Sequence, residues 1–139
     1  MVSGWQFIAF LRLQPNRTEV IVIPALGGSE RKLGEINPGD WPFAGARLSW
    51  TPDNKHLIVM DRQVETKPTG LFVVSVESRE KRRLMMPVGN SLGDGYPAIS
   101  PDGRTLAFIR SPTYVVTDLH GYALARPEVN GRAGSVDFR

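Results

Sequence analysis

Gly89-Asn90-Ser91-Leu92-Gly93 fits the G-x-S-x-G pattern that presents a nucleophilic serine in hydrolases. Asp94 or Asp102 and then His120 follow it in the order Ser, Asp, His. That chemistry needs the serine on a strained strand-to-helix turn, with its hydroxyl exposed beside backbone donors that hold an oxyanion. Here the motif falls in a Gly-rich linker with a strand after it and no helix. No catalytic residue is expected.

The other reactive side chains are weaker still. His56 and His120 are the only histidines and lack H-x-H or H-x-x-x-H spacing, so no histidine metal site is expected. His56 opens a strand beside Asp53, and His120 reads as part of a hairpin turn. Asp53 and Asp102 could serve as ligands or general bases, but each occupies the same place in a repeated turn, which points to turn geometry. Gly27-Gly28 precedes Lys32 without the spacing of a phosphate loop. Asn16-Arg17-Thr18 is a formal glycosylation sequon. With no cysteine among 139 residues, disulfides, thiolate metal sites and thiol nucleophiles are excluded. No cofactor is expected.

The elements that must position these residues are short strands. Hydrophobic residues make up 41% of the chain, which suits a globular fold. The 14 Gly and 11 Pro are spread along it and punctuate it with turns. Strand patterns occur at Gln6–Leu11, Glu19–Ile23, Ala46–Trp50, His56–Met60, Leu71–Val76, Pro97–Ile99, Thr105–Ile109 and Tyr114–Thr117. No window keeps a helical apolar period over three turns. No apolar run can span a bilayer, and Met1–Phe10 does not read as a signal peptide. The chain reads as all-β.

A repeat organises the strands. Trp50-Thr51-Pro52-Asp53-Asn54-Lys55-His56-Leu57-Ile58-Val59-Met60 aligns with Ile99-Ser100-Pro101-Asp102-Gly103-Arg104-Thr105-Leu106-Ala107-Phe108-Ile109 at an offset of 49 without a gap. A further step back places Ile8-Ala9-Phe10-Leu11 under Leu57-Ile58-Val59-Met60, where the Pro-Asp element is missing. Pro52 and Pro101 preset φ for a type I turn, Asp53 and Asp102 can accept from nearby N–H groups, and Asn54 and Gly103 tolerate φ > 0. The spacing predicts a three-residue hairpin loop with a bulge.

A repeat of this length with about four short strands is the signature of a β-propeller blade. The chain is expected to be a single domain, 1–139, of four-stranded antiparallel blades. A truncated first blade covers about 5–34, a second about 46–85 and a third about 95–125, leaving a tail at 126–139. Strands in the third blade are expected at Tyr96–Ser100, Thr105–Arg110, Tyr114–Asp118 and Tyr122–Ala125. The tail is expected either to start another blade or to close the ring.

Tyr96-Pro97-Ala98-Ile99-Ser100-Pro101-Asp102-Gly103-Arg104-Thr105-Leu106-Ala107-Phe108 resembles the TolB-like β-propeller repeat, a relative of the WD repeat. Ile21-Val22-Ile23-Pro24-Ala25-Leu26-Gly27-Gly28-Ser29-Glu30-Arg31-Lys32-Leu33 resembles the outer hairpin of the same repeat. The resemblance runs from about Phe7 to Ala125. It implies a six- or seven-bladed ring, of which this chain holds a part. It also implies a non-enzymatic ligand- or protein-binding module of a bacterial signalling or envelope protein, periplasmic or membrane-associated. The second implication is an accessory segment of a prolyl-oligopeptidase-like hydrolase, with the catalytic domain elsewhere.

A protein or peptide partner is expected at the loops Arg62–Gly70 and Met86–Gly95, with Trp41, Phe43, Arg62, Lys67, Asn90 and Asp94 as candidate contacts. Trp50, ending an inner strand, is expected to pack between blades. The formal charge of +3 is a small excess. The Arg79-Glu80-Lys81-Arg82-Arg83 cluster reads as a protected edge strand rather than a nucleic-acid site, since no aromatic residues are interleaved with it. An incomplete ring leaves apolar blade faces uncovered, so self-association is expected, in the simplest case a homodimer completing six blades.

Overall fold

The computed structural model describes residues 6–39, 47–64, 68–85, 87, 91–112, 118–123 and 135–136. These residues form three antiparallel sheets and, among them, no helix. The first sheet, blade 1, holds β1 (Phe7–Gln14), β2 (Arg17–Pro24) and β3 (Arg31–Ile36). Blade 2 holds β4 (Leu48–Trp50), β5 (His56–Asp61), β6 (Gly70–Ser75) and β7 (Lys81–Met85), in that order across the sheet. Blade 3 follows the same order with β8 (Gly93–Ile99), β9 (Thr105–Ser111), β10 (Asp118–Ala123) and β11 (Ser135–Val136). The chain is all-β, with blades of a partial propeller.

Side-chain alternation explains why the blades stack. Leu57 and Val59 of β5 join Phe72, Val74 and Val76 in a cluster with Val20, Val22, Leu33 and Ile36 of blade 1. Ile58 and Met60, the intervening residues, join Leu71 in a second cluster with Leu106 and Phe108 of blade 3. A strand covered on both faces has no polar side to show, so β5 reads as an unbroken apolar run. Trp50 and Leu48 pack against the first cluster, in the seam between blades 1 and 2.

The repeated turn differs from the expected loop in length. Trp50 pairs with Leu57, and Thr51 N donates to His56 O at 3.0 Å, so four residues, Pro52 to Lys55, lie between the paired ends. Ser100 N donates to Thr105 O at 2.8 Å around the equivalent Pro101 to Arg104. The extra residue is accommodated by the aspartate: Asp53 accepts from Lys55 N, and Asp102 from Arg104 N, each at 3.0 Å. Asn54 and Gly103 take φ of 58° and 70°. Asp102 is held below the usual carboxylate range by the Ser100 hydroxyl and then the Arg104 N–H. At Asp53 partial burial works against ionisation, but the bonds from Thr51 and Lys55 outweigh it.

Blade 3 is arranged differently from the sequence expectation. β10 pairs with β9 from Asp118↔Arg110 to Ala123↔Thr105. His120 therefore lies within a strand, opposite Phe108, and not in a hairpin turn. The outermost place, expected at Tyr122–Ala125, is taken by β11, with Gly121↔Val136 and Tyr122↔Ser135 in register. The tail thus contributes to blade 3 itself. Tyr114–Thr117 lie outside the described residues.

Candidate functional site

The described loops that leave β5 and enter β6 and β8 share one end of the sheets, and the polar residues there form a bonded platform. β5 stops at Asp61, which is 3% exposed. Its carboxylate accepts from Asn37 N at 2.7 Å and pairs with Lys81. Lys81 Nζ also donates to Glu35 O at 3.2 Å, while Arg62 N donates to Asn37 O at 2.9 Å. These bonds fasten the end of β3 to the end of β5 and bridge blades 1 and 2.

Thr69 does the same for blades 2 and 3. Its N–H donates to Leu92 O at 3.0 Å, and its carbonyl accepts from Asp94 N at 2.9 Å. Its hydroxyl donates to Pro38 O at 3.3 Å. Gly93 lies between Leu92 and Asp94 with φ +119°, and a Cβ placed on it would stand 2.1 Å from Thr69 O. Only a residue without a side chain lets the two backbones meet this closely.

Asp94 is wholly buried, and Arg110 holds it with Nε to Oδ1 at 2.8 Å and Nη2 to Oδ2 at 2.9 Å. It is therefore not a surface contact, as the sequence reading had it, but the inner half of an ion pair between β8 and β9. Arg62, another candidate contact, lies at the platform and lines a cleft. Trp41, Phe43, Lys67 and Asn90 lie outside the described residues.

Two adjoining clefts open at this end along the seam of blades 1 and 2. One, of about 400 Å³, is lined by Arg17, Glu35, Asn37, Asp61, Arg62 and Lys81 among others. The other, of about 600 Å³, includes Gln14, Asn16, Pro38, Gly39 and Arg47. The lining carries both signs of charge. Lys32 Nζ lies 2.6 Å from Glu35 Oε1 and 2.9 Å from Glu19 Oε1. The bond from Lys32 holds Glu35 below the usual carboxylate range, and the bonds to Glu35 and Glu19 raise Lys32. Arg17 Nε adds contacts at 3.4 Å to Glu19 and 3.6 Å to Glu35.

Among the described side chains the serine motif has no assembled partner set. Ser91 Oγ is buried without a hydrogen-bond partner, and the chain after it enters β8 rather than a helix. Asp94 is committed to Arg110. Asp102 lies in the turn beyond the far end of β8, roughly 20 Å along the strand at about 3.3 Å per residue. His56 Nδ1 lies 4.0 Å from Asp53 Oδ2, at that same far end. Among the described residues no cluster of three or more His, Asp or Glu side chains could hold a metal ion. Asn37, Asp61 and Thr69, which organise the platform, were not singled out by sequence. One signal was available: Asp61 and Arg110 are equivalent at the offset of 49, and both put a charge near the end of an apolar strand.

No family model matches the sequence, and no curated protein matches it. Solved structures do. TolB from Acinetobacter baumannii superposes with a TM-score of 0.67 at 14% identity, over 96% of this chain and 30% of that one. This chain has the fold of a TolB-like β-propeller fragment. A protein assigned as TolB from Agrobacterium tumefaciens gives 0.63 at 19% identity, over 85% of this chain and 39% of that one. One of two prolyl endopeptidases studied for inter-domain dynamics gives 0.61 at 18% identity, over 92% of this chain and 20% of its own. The chain thus spans well under half the length of each of these neighbours. Within blades 2 and 3 the strands lie side by side in chain order, from β4 to β7 and from β8 to β11.

Proposed function

We propose that this chain is the non-enzymatic binding part of a TolB-like propeller, with a protein or peptide as partner, in a bacterial signalling or envelope protein. The observation that carries the reading is the loop-end platform. Its carboxylates at Asp61 and Asp94 are consumed in bonds that rigidify the loops, and the clefts beside it present fixed charges of both signs. Such a surface suits the mixed charge and exposed amides of a polypeptide better than a phosphate chain, which favours a single positive field. Ester and peptide substrates should show no turnover that depends on Ser91. Hydrolysis by the purified chain that disappears in Ser91→Ala would defeat this reading.

A second reading, the propeller part of a prolyl-oligopeptidase-like hydrolase, draws on the likeness to a prolyl endopeptidase over 92% of this chain. A coding sequence that continues into an α/β-hydrolase region would favour it. One that carries a kinase or DNA-binding region would favour the first.

Self-association fits either reading. Ile8 is 53% exposed on the outer face of blade 1, and Leu119 is 59% exposed on blade 3. Leu119 stands opposite Ile109, the counterpart of Met60 at the offset of 49; Met60 packs towards blade 3, and Ile109, itself touching that same cluster, alternates with Leu106 and Phe108, which face blade 2. The two faces are therefore the complementary sides of a blade seam, and two copies related by a two-fold axis would bury both. Light scattering at tens of micromolar (about the concentration that fills a micromolar interface) should report a dimer. A monodisperse monomer would refute it.

A further inference from the structure

The charges along the two clefts are not equally engaged. Among the described residues, each acidic side chain of the lining already has a cation. Asp61 pairs with Lys81, and Glu35 lies beside Lys32 and Arg17. The larger cleft, of about 600 Å³, has no acidic residue among its described lining, but it has two arginines, Arg17 and Arg47. Arg17 is shared with Glu19 and Glu35. Arg47 makes no ion pair with any described residue.

A second donor stands at the same place. Asn37 lines both clefts. Its N–H donates to Asp61 and its carbonyl accepts from Arg62 N, which fixes its backbone. Its Oδ1 accepts from Gly39 N at 3.2 Å, so the amide is oriented and the Nδ2 hydrogens are left for another acceptor. The margin is apolar. Leu13 is 76% exposed there, beside Pro15. Apolar walls with a few placed donors are the composition of a ligand site.

We propose that Arg47 and Asn37 bind the side-chain carboxylate of an acidic residue in a partner peptide, while an apolar neighbour of that residue rests on Leu13 and Pro15. The inference rests on the reading of the chain as a protein- or peptide-binding module, and names the chemistry of the partner. A carboxylate matches a guanidinium plane to plane, with two parallel bonds. Phosphate fits less well, because Glu35 lines the adjoining cleft and would oppose a second negative charge. A side chain is favoured over a chain end because the two clefts share Asn16, Arg17, Ile36 and Asn37, so a peptide can run on past the donors.

The probe is the dansylated peptide GLELG with an amidated end, titrated into the whole chain by fluorescence anisotropy. Saturable binding is expected. The GLQLG amide should bind about tenfold more weakly, the value of one charge-assisted hydrogen bond. Arg47→Met should weaken GLELG by a similar factor and bind the two peptides alike, because the group that tells them apart is gone. Arg12→Met removes the same charge from the Glu30 pair, outside the clefts, and should leave both affinities unchanged. If Arg47→Met does not fold, the two peptides decide alone. Equal affinity for GLELG and GLQLG, no saturable binding of GLELG, or equal losses in the two arginine variants would overturn the inference. So would GLQLG with a free carboxyl end binding as tightly as amidated GLELG, since the cleft would then read a chain end. The reading on which the inference rests fails by a different result, hydrolysis that depends on Ser91.

Discussion

Gly93→Ala should be the most damaging glycine-to-alanine change among the described residues, costing about 4 kcal/mol or more of folding stability. Two penalties combine. The backbone at Gly93 has φ +119°, a region that side chains rarely enter, and the new Cβ would meet Thr69 O at 2.1 Å and Thr69 N at 2.5 Å. Neither contact is with a flexible side-chain end. Relief would require breaking the bonds from Thr69 N to Leu92 O and from Asp94 N to Thr69 O, which tie blade 2 to blade 3. Gly27→Ala supplies the control: φ is +90° there, but nothing lies within 4 Å of the added carbon. It should cost only the conformational part, roughly 1 kcal/mol. Urea unfolding of both variants measures the difference, and equal midpoints would show that the Gly93–Thr69 approach is not what requires glycine.

Arg110→Met should cost about 3 kcal/mol, the lower end of the range for breaking a buried ion pair from one side. Asp94 is 0% exposed, so removing its partner leaves a carboxylate in the protein interior. The lower end applies because the Arg110 side chain is 36% exposed, and water can partly replace it. Adding Asp94→Asn to Arg110→Met should recover part of the loss, since a neutral amide is less costly to bury than an unpaired charge. Arg12→Met removes a pair of similar geometry, with bonds of 2.7 and 2.6 Å to Glu30, but both partners are exposed. It should leave stability almost unchanged. If the two methionine variants unfold at the same denaturant concentration, burial does not set the value of the Asp94 pair.

Local pattern made most of the fold legible. The gapless alignment of Trp50–Met60 with Ile99–Ile109 is enough to infer equivalent strands, and alternation within β5 implies two covered faces. The Asp turns were legible because each repeat meets the same stereochemical demand at Asn54 and Gly103. Their loop length was not, since the added residue depends on an aspartate side chain replacing a backbone acceptor. The outer strand of blade 3 was also hidden: β11 pairs with β10 across a long intervening segment, and two residues carry no period.

The platform was illegible for a different reason. Asp94 looked like a loop residue, and nothing in its neighbourhood announces that Arg110 will fold back over it. Gly93 gave no sign of Thr69, because close backbone approach is a property of two blades meeting. Asp61 stands just past the strand pattern His56–Met60, and nothing there announces its bonds to Asn37 and Lys81. Gly93 with Thr69 and Asp61 with Asn37 meet across blades, which a pattern repeating within each blade does not reveal, and Asp94 with Arg110 meets across two strands whose pairing partner is set only by the fold.

Blade 2 alone has neighbours on both sides among the described sheets, and this gives the chain a linear order of stability. In a stack where each unit touches only the next, the total is close to a sum of unit and junction contributions. Fraying of blade 1 or blade 3 forfeits one junction. Opening of blade 2 forfeits both and leaves two separate small sheets, a size at which water-exposed strands are marginal. In a monomer of this chain β5 and β6 should therefore behave as the cooperative centre, open only with the whole, while blades 1 and 3 loosen first; a partner seated on their outer faces would remove that difference.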